Sequence, residues 1–385
     1  MQLLEVLDVW TKVLDEGGCV DVIYMDFQKA FDTVPHRRLI SKIEAHGIGG
    51  RLLGWLTDFL ADREQRVVVN GTRSSTAEVT SGVPQGSVLG PVLFLLFIND
   101  LPKGISKSVK MFADDTKLFS GMTDVNDDSL QNDLEVLQDW SSKWLMQFHP
   151  EKCKVMKLGR QRSNIQYRMN NVILEEIEAE KDLGVQVDNQ LSFKSHVAMV
   201  TAKANRVVGV IRRSFDNLTE ELFATLFKSL VRPILEYGHS VWNPHLKTLS
   251  QEVERVQRRA TGLLGSLKHL SYPERLQKLE LPSLEHRRKR GDMIDAYKYI
   301  HGHYDCATPT LPFSDVTQTR GHSLKLKTCF SRLNVRKYFF SQRIVSLWNS
   351  LPEEVVTAPS INSFKARLDR HWDSLPTKYD PDCFR

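Results

Sequence analysis

Three aspartates in this 385-residue chain have the residue type and context for metal-dependent chemistry. Asp26 follows the apolar segment Val20–Tyr24, and Asp114 and Asp115 follow Met111-Phe112-Ala113. Neighbouring carboxylates beside apolar segments repel one another, and a divalent cation relieves that repulsion. Mg²⁺ is typically held by one or two carboxylates together with substrate phosphates. Two such ions can activate an attacking oxygen and stabilise a leaving oxygen, which is the chemistry of nucleotidyl transfer. The alternative is that Asp-Asp only forms a turn.

The elements that must position these aspartates are predicted from hydrophobic periodicity and turn residues. Strands are predicted at Val20–Tyr24, Val109–Phe112, Thr116–Phe119 and Cys153–Leu158, with Asp114-Asp115 in a hairpin turn. A further hairpin is predicted from Arg66–Val69 and Ala77–Thr80 around Asn70-Gly71. Helices are predicted over residues 2–16, 35–46, 51–62, 88–101 and 130–144. This order indicates an α+β fold in which helices pack on one face of an antiparallel sheet.

The second half of the chain has a different pattern. Helices are predicted at Val197–Arg213, Glu220–Val231 and Gln251–Leu264, whereas residues 302–335 have little helical periodicity. Residues 195–385 carry 30 Lys and Arg against 19 Asp and Glu, a net charge of +11, and residues 1–194 carry a net −6. A basic half is typical of a polyanion partner, although an ordinary solvated surface explains it equally well.

Three segments resemble the polymerase motifs of reverse transcriptases. Tyr24–His36 resembles motif A, Gly82–Pro91 resembles motif B, and Phe112–Asp115 resembles motif C. Ala-Phe-Asp-Thr-Val-Pro-His, at residues 30–36, is similar to LINE-type, jockey-like elements, which are non-LTR retrotransposons. The likeness continues through residues 232–238 and 258–261 and reaches residues 347–352. It implies a right-hand polymerase palm followed by a mostly helical thumb and C-terminal region.

The resemblance also implies roles for individual residues. Asp26, Asp114 and Asp115 would hold two Mg²⁺ ions, or Mn²⁺, and the backbone carbonyl of Phe27 would complete a coordination shell. Phe31 matches the aromatic side chain that excludes a ribose 2′-hydroxyl, with a core aromatic as the alternative. Pro84, Gln85 and Gly86 would seat the template base and the incoming nucleotide.

Further roles follow from the same resemblance. Lys152 matches the motif D lysine, a candidate general acid for the pyrophosphate leaving group, although the family usually has Asn where His149 stands. Leu183-Gly184-Val185 resembles the primer grip, where Asp182 replaces a common aromatic. The expected partners are an RNA template, a DNA primer and deoxynucleoside triphosphates, with no membrane; the sequence does not indicate an oligomeric state.

The predicted domains are a palm over residues 1–190, a thumb-like region over 191–301 and a C-terminal region over 302–385. The family's fingers and its endonuclease domain precede motif A by far more than 25 residues. We therefore expect an N-terminally truncated chain whose isolated activity is weak or absent, because positioning dominates phosphoryl transfer.

The five cysteines, at positions 19, 153, 306, 329 and 383, form no C-x-x-C pair, which favours reduced thiols. No signal peptide is predicted at Met1–Glu5, and the protein is expected inside the cell. His286–Arg290 suggests a nuclear-localisation or phosphate-binding patch, but a solvated helix face is favoured.

Two other functions remain open on the sequence. A domesticated or inactive nucleic-acid-binding remnant would keep the basic surface without needing Asp26 or Asp114. An RNA-dependent RNA polymerase shares the palm and an Asp-Asp hairpin, but Phe31 argues against it because that enzyme must accommodate the 2′-hydroxyl. Intact motifs favour the RNA-directed DNA polymerase.

Overall fold

The computed structural model describes residues 1–122, 124, 126–160, 163–305, 309–314, 321–373 and 378–381. The chain divides into a sheet unit, Gly17–Glu178, and a helical unit that combines Met1–Glu16 with Ala179–Arg385. The first helix, α1 (Gln2–Asp15), matches the predicted helix 2–16 but belongs to the helical unit. This division differs from the expected first domain, residues 1–190. The assignment of palm, thumb and C-terminal region remains a prediction.

Buried polar contacts explain why α1 joins the helical unit. The carboxylate of Asp8 is paired with the Arg336 guanidinium at 2.8 Å and accepts a hydrogen bond from the Ser341 hydroxyl at 2.9 Å. Asp15 accepts a hydrogen bond from the backbone N–H of Leu333 at 2.6 Å. These partners are more than 300 residues away in sequence, so the hydrophobic periodicity of α1 cannot reveal them.

The sheet unit alternates strands and helices much as predicted. Its helices are α2 (His36–Ala45), α3 (Gly50–Leu60), α4 (Leu89–Ile98) and α5 (Ser129–Trp144). Its strands are β1 (Cys19–Met25), β2 (Glu64–Gln65), β3 (Val68–Val69), β4 (Thr72–Arg73), β5 (Ala77–Glu78), β6 (Ser108–Phe112), β7 (Asp115–Met122), β8 (Lys154–Leu158), β9 (Arg168–Met169), β10 (Val172–Ile173) and β11 (Glu175–Ile177).

A five-stranded sheet with the order β11-β8-β1-β7-β6 forms the centre of this unit. All neighbouring strands are antiparallel except β11, which pairs with β8 in parallel. Residues Ile23 and Met25 of β1 share one buried apolar cluster with residues of α2, α3, α4 and α5. The structure thus confirms the α+β class with an antiparallel-rich sheet.

The predicted pairing of Arg66–Val69 with Ala77–Thr80 is wrong. Strand β3 pairs with β4, and β2 pairs with β5. Asn70 and Gly71 both have positive φ, 49° and 84°, so they close a two-residue hairpin turn that brings Thr72 directly opposite Val69. The β2–β5 pair lies beyond it, and its register is shifted by one residue relative to that of the β3–β4 pair.

The helical unit begins with a short hairpin, β12 (Ala179–Asp182) and β13 (Val185–Asp188). Its further helices are α6 (Lys194–Ser214), α7 (Glu220–Leu226), α8 (Arg232–Glu236), α9 (His239–Trp242), α10 (Lys247–Thr261), α11 (Tyr272–Lys278), α12 (Leu284–Ile300), α13 (Asn334–Lys337), α14 (Phe340–Arg343), α15 (Val345–Asn349), α16 (Glu353–Val356) and α17 (Ile361–Asp373). The segment predicted as one helix, Glu220–Val231, is α7 followed by a π-turn at Phe227–Val231.

The segment after α12 has no helix or strand in its described parts up to α13, as the low periodicity predicted. The C-terminal likeness at 347–352 serves packing: the Trp348 indole is buried and donates to the carbonyl of Leu324 at 2.8 Å. Of the helices within the described ranges, none has both the length and the apolar character of a membrane span.

Candidate active site

The motif C hairpin places two carboxylates at one end of the sheet. Phe112 pairs with Asp115, so Ala113 and Asp114 form a two-residue loop between β6 and β7. Ala113 has φ +55°, a left-handed conformation that costs a non-glycine residue about 1 kcal/mol or more. Asp114 is half-buried and Asp115 is exposed, so both carboxylates lie where a substrate can reach them.

The register of β1 against β7 brings Asp26 to the same end of the sheet. Met25 pairs with Thr116, and continuing the ladder by one residue sets Asp26 opposite Asp115. The carbonyl of Asp26 accepts a hydrogen bond from the backbone N–H of His149 at 2.8 Å, which fixes the chain just beyond β1. The backbone register therefore places Asp26, Asp114 and Asp115 at the same end of the sheet.

Lys152 contacts Asp26 directly. Its ammonium lies 3.2 Å from Oδ2 of Asp26, which is shielded from solvent and otherwise accepts no hydrogen bond within the described part of the chain. The lysine side chain is 62% exposed, so it can turn away without breaking a core contact. The arrangement gives Asp26 a cationic partner that a substrate or metal ion can replace.

Cys153, the residue after Lys152, is a buried thiol that the sequence did not single out. Burial is the main reason that its pKa is raised to about 11, and the nearby negative charge of Asp26 acts in the same direction. The thiol is therefore protonated at neutral pH and unsuited to nucleophilic chemistry. Cys19 is also a buried free thiol and Cys329 an exposed one, while Cys306 and Cys383 lie outside the described residues.

The carboxylates have the chemistry that a divalent ion needs. Hard oxygen ligands suit Mg²⁺ or Mn²⁺, and among the described residues Oδ2 of Asp26 has no hydrogen-bond donor beside its ion pair with Lys152. In the described residues, however, no three His, Cys, Asp or Glu side chains are gathered as a preformed metal cluster. The carboxylate oxygens thus fit a divalent ion in their chemistry, while Asp26 is paired with Lys152.

Motif B is bound to motif A mainly through the backbone. The N–H of Gly82 donates to the carbonyl of Val34 at 2.8 Å, and the N–H of Val83 donates to the carbonyl of Phe31 at 2.7 Å. Gly82 has φ +91°, and a Cβ there would lie only 2.7 Å from the carbonyl oxygen of Asp32. Glycine is needed at position 82 both for its conformation and for this close approach.

Gln85 and His36 add side-chain interactions between motifs A and B that were not predicted from the sequence. The amide of Gln85 donates to the Asp32 carboxylate at 2.9 Å, and Nε2 of His36 lies 2.8 Å from the carbonyl oxygen of Gly82. Asp32 and His36 stand within the motif A segment, which is the only signal the sequence gives for them. Gln85 and Gly86 are exposed at the tip of the loop, whereas Pro84 is half-buried.

The two motif A phenylalanines are held in different ways. Phe31 is half-buried, and its ring stacks on Phe94 of α4 with a centroid separation of 4.5 Å. Phe27 is buried and stacks on Phe148 at 4.3 Å, so its ring belongs to the core. The contact with α4 therefore holds the Phe31 ring in place.

The primer-grip resemblance falls on the β12–β13 turn. Leu183 and Gly184 have φ values of 45° and 84°, which is typical of a tight two-residue hairpin turn. The Tyr237 hydroxyl donates to the carbonyl of Leu183 at 2.9 Å. Tyr237 therefore supports the turn, and Asp182, the residue before it, is buried.

The favoured interpretation of His286–Arg290 as a solvated helix face is wrong. His286 and Arg288 are buried in α12. Arg287 pairs with Glu236, Lys289 with Glu285 at 3.0 Å, and Arg290 with Asp369 at 2.5 Å. The distant carboxylates that neutralise Arg287 and Arg290 are invisible in the local sequence, so the run resembled a free basic patch.

Comparison with known proteins places these motifs in a family. Residues 6–193 match the family described as "Reverse transcriptase (RNA-dependent DNA polymerase)". The chain is 28% identical over 267 residues to the probable RNA-directed DNA polymerase from transposon BS of Drosophila melanogaster, covering 65% of this chain and 29% of the relative. It is 28% identical over 249 residues to the RNA-directed DNA polymerase from mobile element jockey of the same species, covering 61% and 27%.

A third relative is the probable RNA-directed DNA polymerase from transposon X-element of Drosophila melanogaster, 27% identical over 68% of this chain and 30% of the relative. The chain thus spans less than a third of the length of these curated relatives. A solved telomerase from Candida albicans aligns with 71% of this chain and 52% of its own length, with 11% identity and a TM-score of 0.37. Residues 6–193 thus match the reverse transcriptase family, and the chain is similar to the RNA-directed DNA polymerases of these transposons and mobile elements.

Proposed function

We propose that this chain supplies the catalytic centre of an RNA-directed DNA polymerase, which extends a DNA primer on an RNA template. The observation that carries the proposal is the register that sets Asp26 beside the Asp114-Asp115 turn, inside the segment that matches the family. Deoxynucleoside triphosphates are the proposed substrates. The non-LTR relatives named above support this choice of template and product.

In this proposal the reaction is an in-line displacement at the α-phosphorus of the nucleotide. The primer 3′-oxygen forms the new bond while the bond to pyrophosphate breaks. Asp26, Asp114 and Asp115 are the residues that would hold divalent ions. Such ions, when bound, lower the pKa of the primer hydroxyl and stabilise charge on the leaving oxygen.

The remaining site residues position the substrate or transfer a proton. Lys152 releases Asp26 and, as a general acid, donates a proton to the departing pyrophosphate; such transfer contributes roughly 10²–10⁴-fold in rate. Phe31, fixed against Phe94, excludes a ribose 2′-hydroxyl. The Gln85-Gly86 tip, bound to Asp32, contacts the template base and the incoming nucleotide.

Primer extension on poly(rA)/oligo(dT) with Mg²⁺ or Mn²⁺ tests the proposal. We expect weak dTTP incorporation by the chain, and none by the Asp114→Ala, Asp115→Ala double variant. The matched control is Glu135→Ala, Asp139→Ala, which removes two exposed carboxylates from α5 of the same unit. Equal incorporation by both double variants would contradict the proposal, as would no incorporation by folded protein that binds the hybrid.

A further inference from the structure

A cavity of about 510 Å³ lies between α10 and α12 of the helical unit, and none of its lining residues is assigned to the candidate active site. Its volume is within the range of about 300–1,000 Å³ that is usual for ligand sites. Asn243, Pro244 and His245 line one side, and residues of the two helices line the rest. The cavity is therefore large enough for a phosphate group and the atoms attached to it.

The lining of this cavity is strongly cationic. Five of its side chains are positively charged and two are carboxylates, an excess of three positive charges; they are Lys247, Arg255, Arg258, Arg288 and Lys289 against Glu254 and Glu285. Glu254 is already satisfied, because its carboxylate accepts hydrogen bonds from the Tyr272 hydroxyl and the Leu284 N–H. Glu285 pairs with Lys289 at 3.0 Å. The other four cations line the cavity, and the described part of the chain gives none of them an ion pair like that of Lys289 with Glu285.

Arg288 is the best-defined cation of the set. It is only 2% exposed, and its Nε and Nη2 donate to Asn243 and Ser250 at 3.0 and 2.8 Å. Its Nη1 is buried and has no hydrogen-bond partner among the described residues. A buried donor without an acceptor is costly, and burial lowers the pKa of this guanidinium. Arg288 lines the cavity, so an anion there would lie beside this guanidinium, whose planar fork suits phosphate oxygens.

We propose that this cavity binds a backbone phosphate of a nucleic-acid strand. Exposed Lys247 and Arg255 lie on the same helix, eight residues apart, which is about 12 Å at 1.5 Å per residue. That span exceeds a single phosphate but suits a strand with a charge about every 3.4 Å of its axis. Binding of a strand at this cavity does not depend on the chemistry proposed at Asp26.

The test measures binding of a fluorescein-labelled 20-nucleotide oligo(dT) to the full chain by anisotropy, across a KCl series. The cavity variant is Lys247→Gln, Arg255→Gln. The control is Lys203→Gln, Arg206→Gln, which removes two exposed cations from α6 outside the cavity. We expect the cavity variant to lose about tenfold or more in affinity at 100 mM KCl, and a shallower salt dependence, with a much smaller loss in the control.

Equal losses in the two variants would overturn the proposal, because they would indicate a diffuse basic surface. Inorganic phosphate at constant ionic strength provides the second arm, read as a rise in melting temperature. Phosphate that stabilises the chain and displaces the oligonucleotide supports the strand site. Phosphate that stabilises the chain while the cavity variant binds oligonucleotide normally would make the ligand a free phosphate and overturn the proposal. Arg288→Lys, which keeps the charge but loses the fork, is expected to weaken both ligands.

Discussion

Replacing Gly82 by alanine tests the contact between motifs A and B. Gly82 and Gly86 have nearly the same φ, +91° and +83°, so alanine suffers similar backbone strain at either position. That strain is about 1–2 kcal/mol, and the reduced entropy of the unfolded chain offsets about 0.4–1 kcal/mol of it. The surroundings differ: a Cβ at position 86 meets nothing within 4 Å, whereas one at position 82 meets backbone atoms of Asp32 and Phe31 at 2.7–2.8 Å.

The difference between the two variants isolates that close approach. Backbone atoms cannot turn aside as a side chain can, so overpacking should add about 1–3 kcal/mol at position 82. We therefore expect Gly86→Ala to cost about 1 kcal/mol and Gly82→Ala about 2–4 kcal/mol in the free energy of unfolding. With a urea m-value of about 2 kcal/mol/M, the two midpoints should differ by about 0.5–1.5 M.

Urea unfolding followed by tryptophan fluorescence measures this difference. The measurement does not depend on catalysis, so it tests the packing of motif B even if incorporation is weak. Equal midpoints for Gly82→Ala and Gly86→Ala would refute the inference that motif B must approach the motif A backbone at Gly82.

Three further predictions follow from buried or stacked side chains. Burial lowers the pKa of His196 from its ordinary 6.5 to about 4, so between these pH values the unfolded chain binds a proton that the folded chain excludes. The contribution of His196 to the free energy of unfolding should be complete above pH 6.5 and fall by up to about 1.4 kcal/mol per pH unit towards pH 4. His196→Gln should flatten that fall when urea unfolding is measured across this pH range. Lys42 is buried against Asp100, and its ammonium lies 3.7 Å from the Trp144 ring centroid. Replacing Lys42 by methionine should lower the free energy of unfolding by about 3–5 kcal/mol, and adding Asp100→Asn should restore part of that loss, as measured by calorimetry. Phe31→Ala should raise rUTP incorporation relative to dTTP by about tenfold or more in primer extension, and an unchanged ratio would make Phe31 a core aromatic only.

The sequence predicted the strands and the turn of the site because their signals are local. The apolar runs around Asp26 and Asp114 define β1, β6 and β7, and an antiparallel hairpin fixes its own register through its turn. The alignment of β1 with β7 is a contact across about 90 residues. The motif resemblance, rather than periodicity, indicated that Asp26 reaches the Asp114-Asp115 turn.

The features that the sequence missed depend on partners far along the chain. Helix α1 has ordinary amphipathic spacing, and only the Asp8–Arg336 pair shows which unit it joins. The run at 286–290 has a basic composition, but Glu236 and Asp369 neutralise two of its members from other helices. The roles of the site residues, the domain labels and an intracellular or nuclear location remain predictions.

The most direct test of the central claim is a double-variant cycle on Asp26 and Asp114, with single-turnover dTTP incorporation as the readout. If the two carboxylates act as one metal-binding unit, Asp26→Asn and Asp114→Asn should each abolish most incorporation, and the combined variant should lose hardly more than the worse single variant. Losses that simply multiply in the combined variant, in protein that stays folded and binds the hybrid, would contradict a shared site at this end of the sheet.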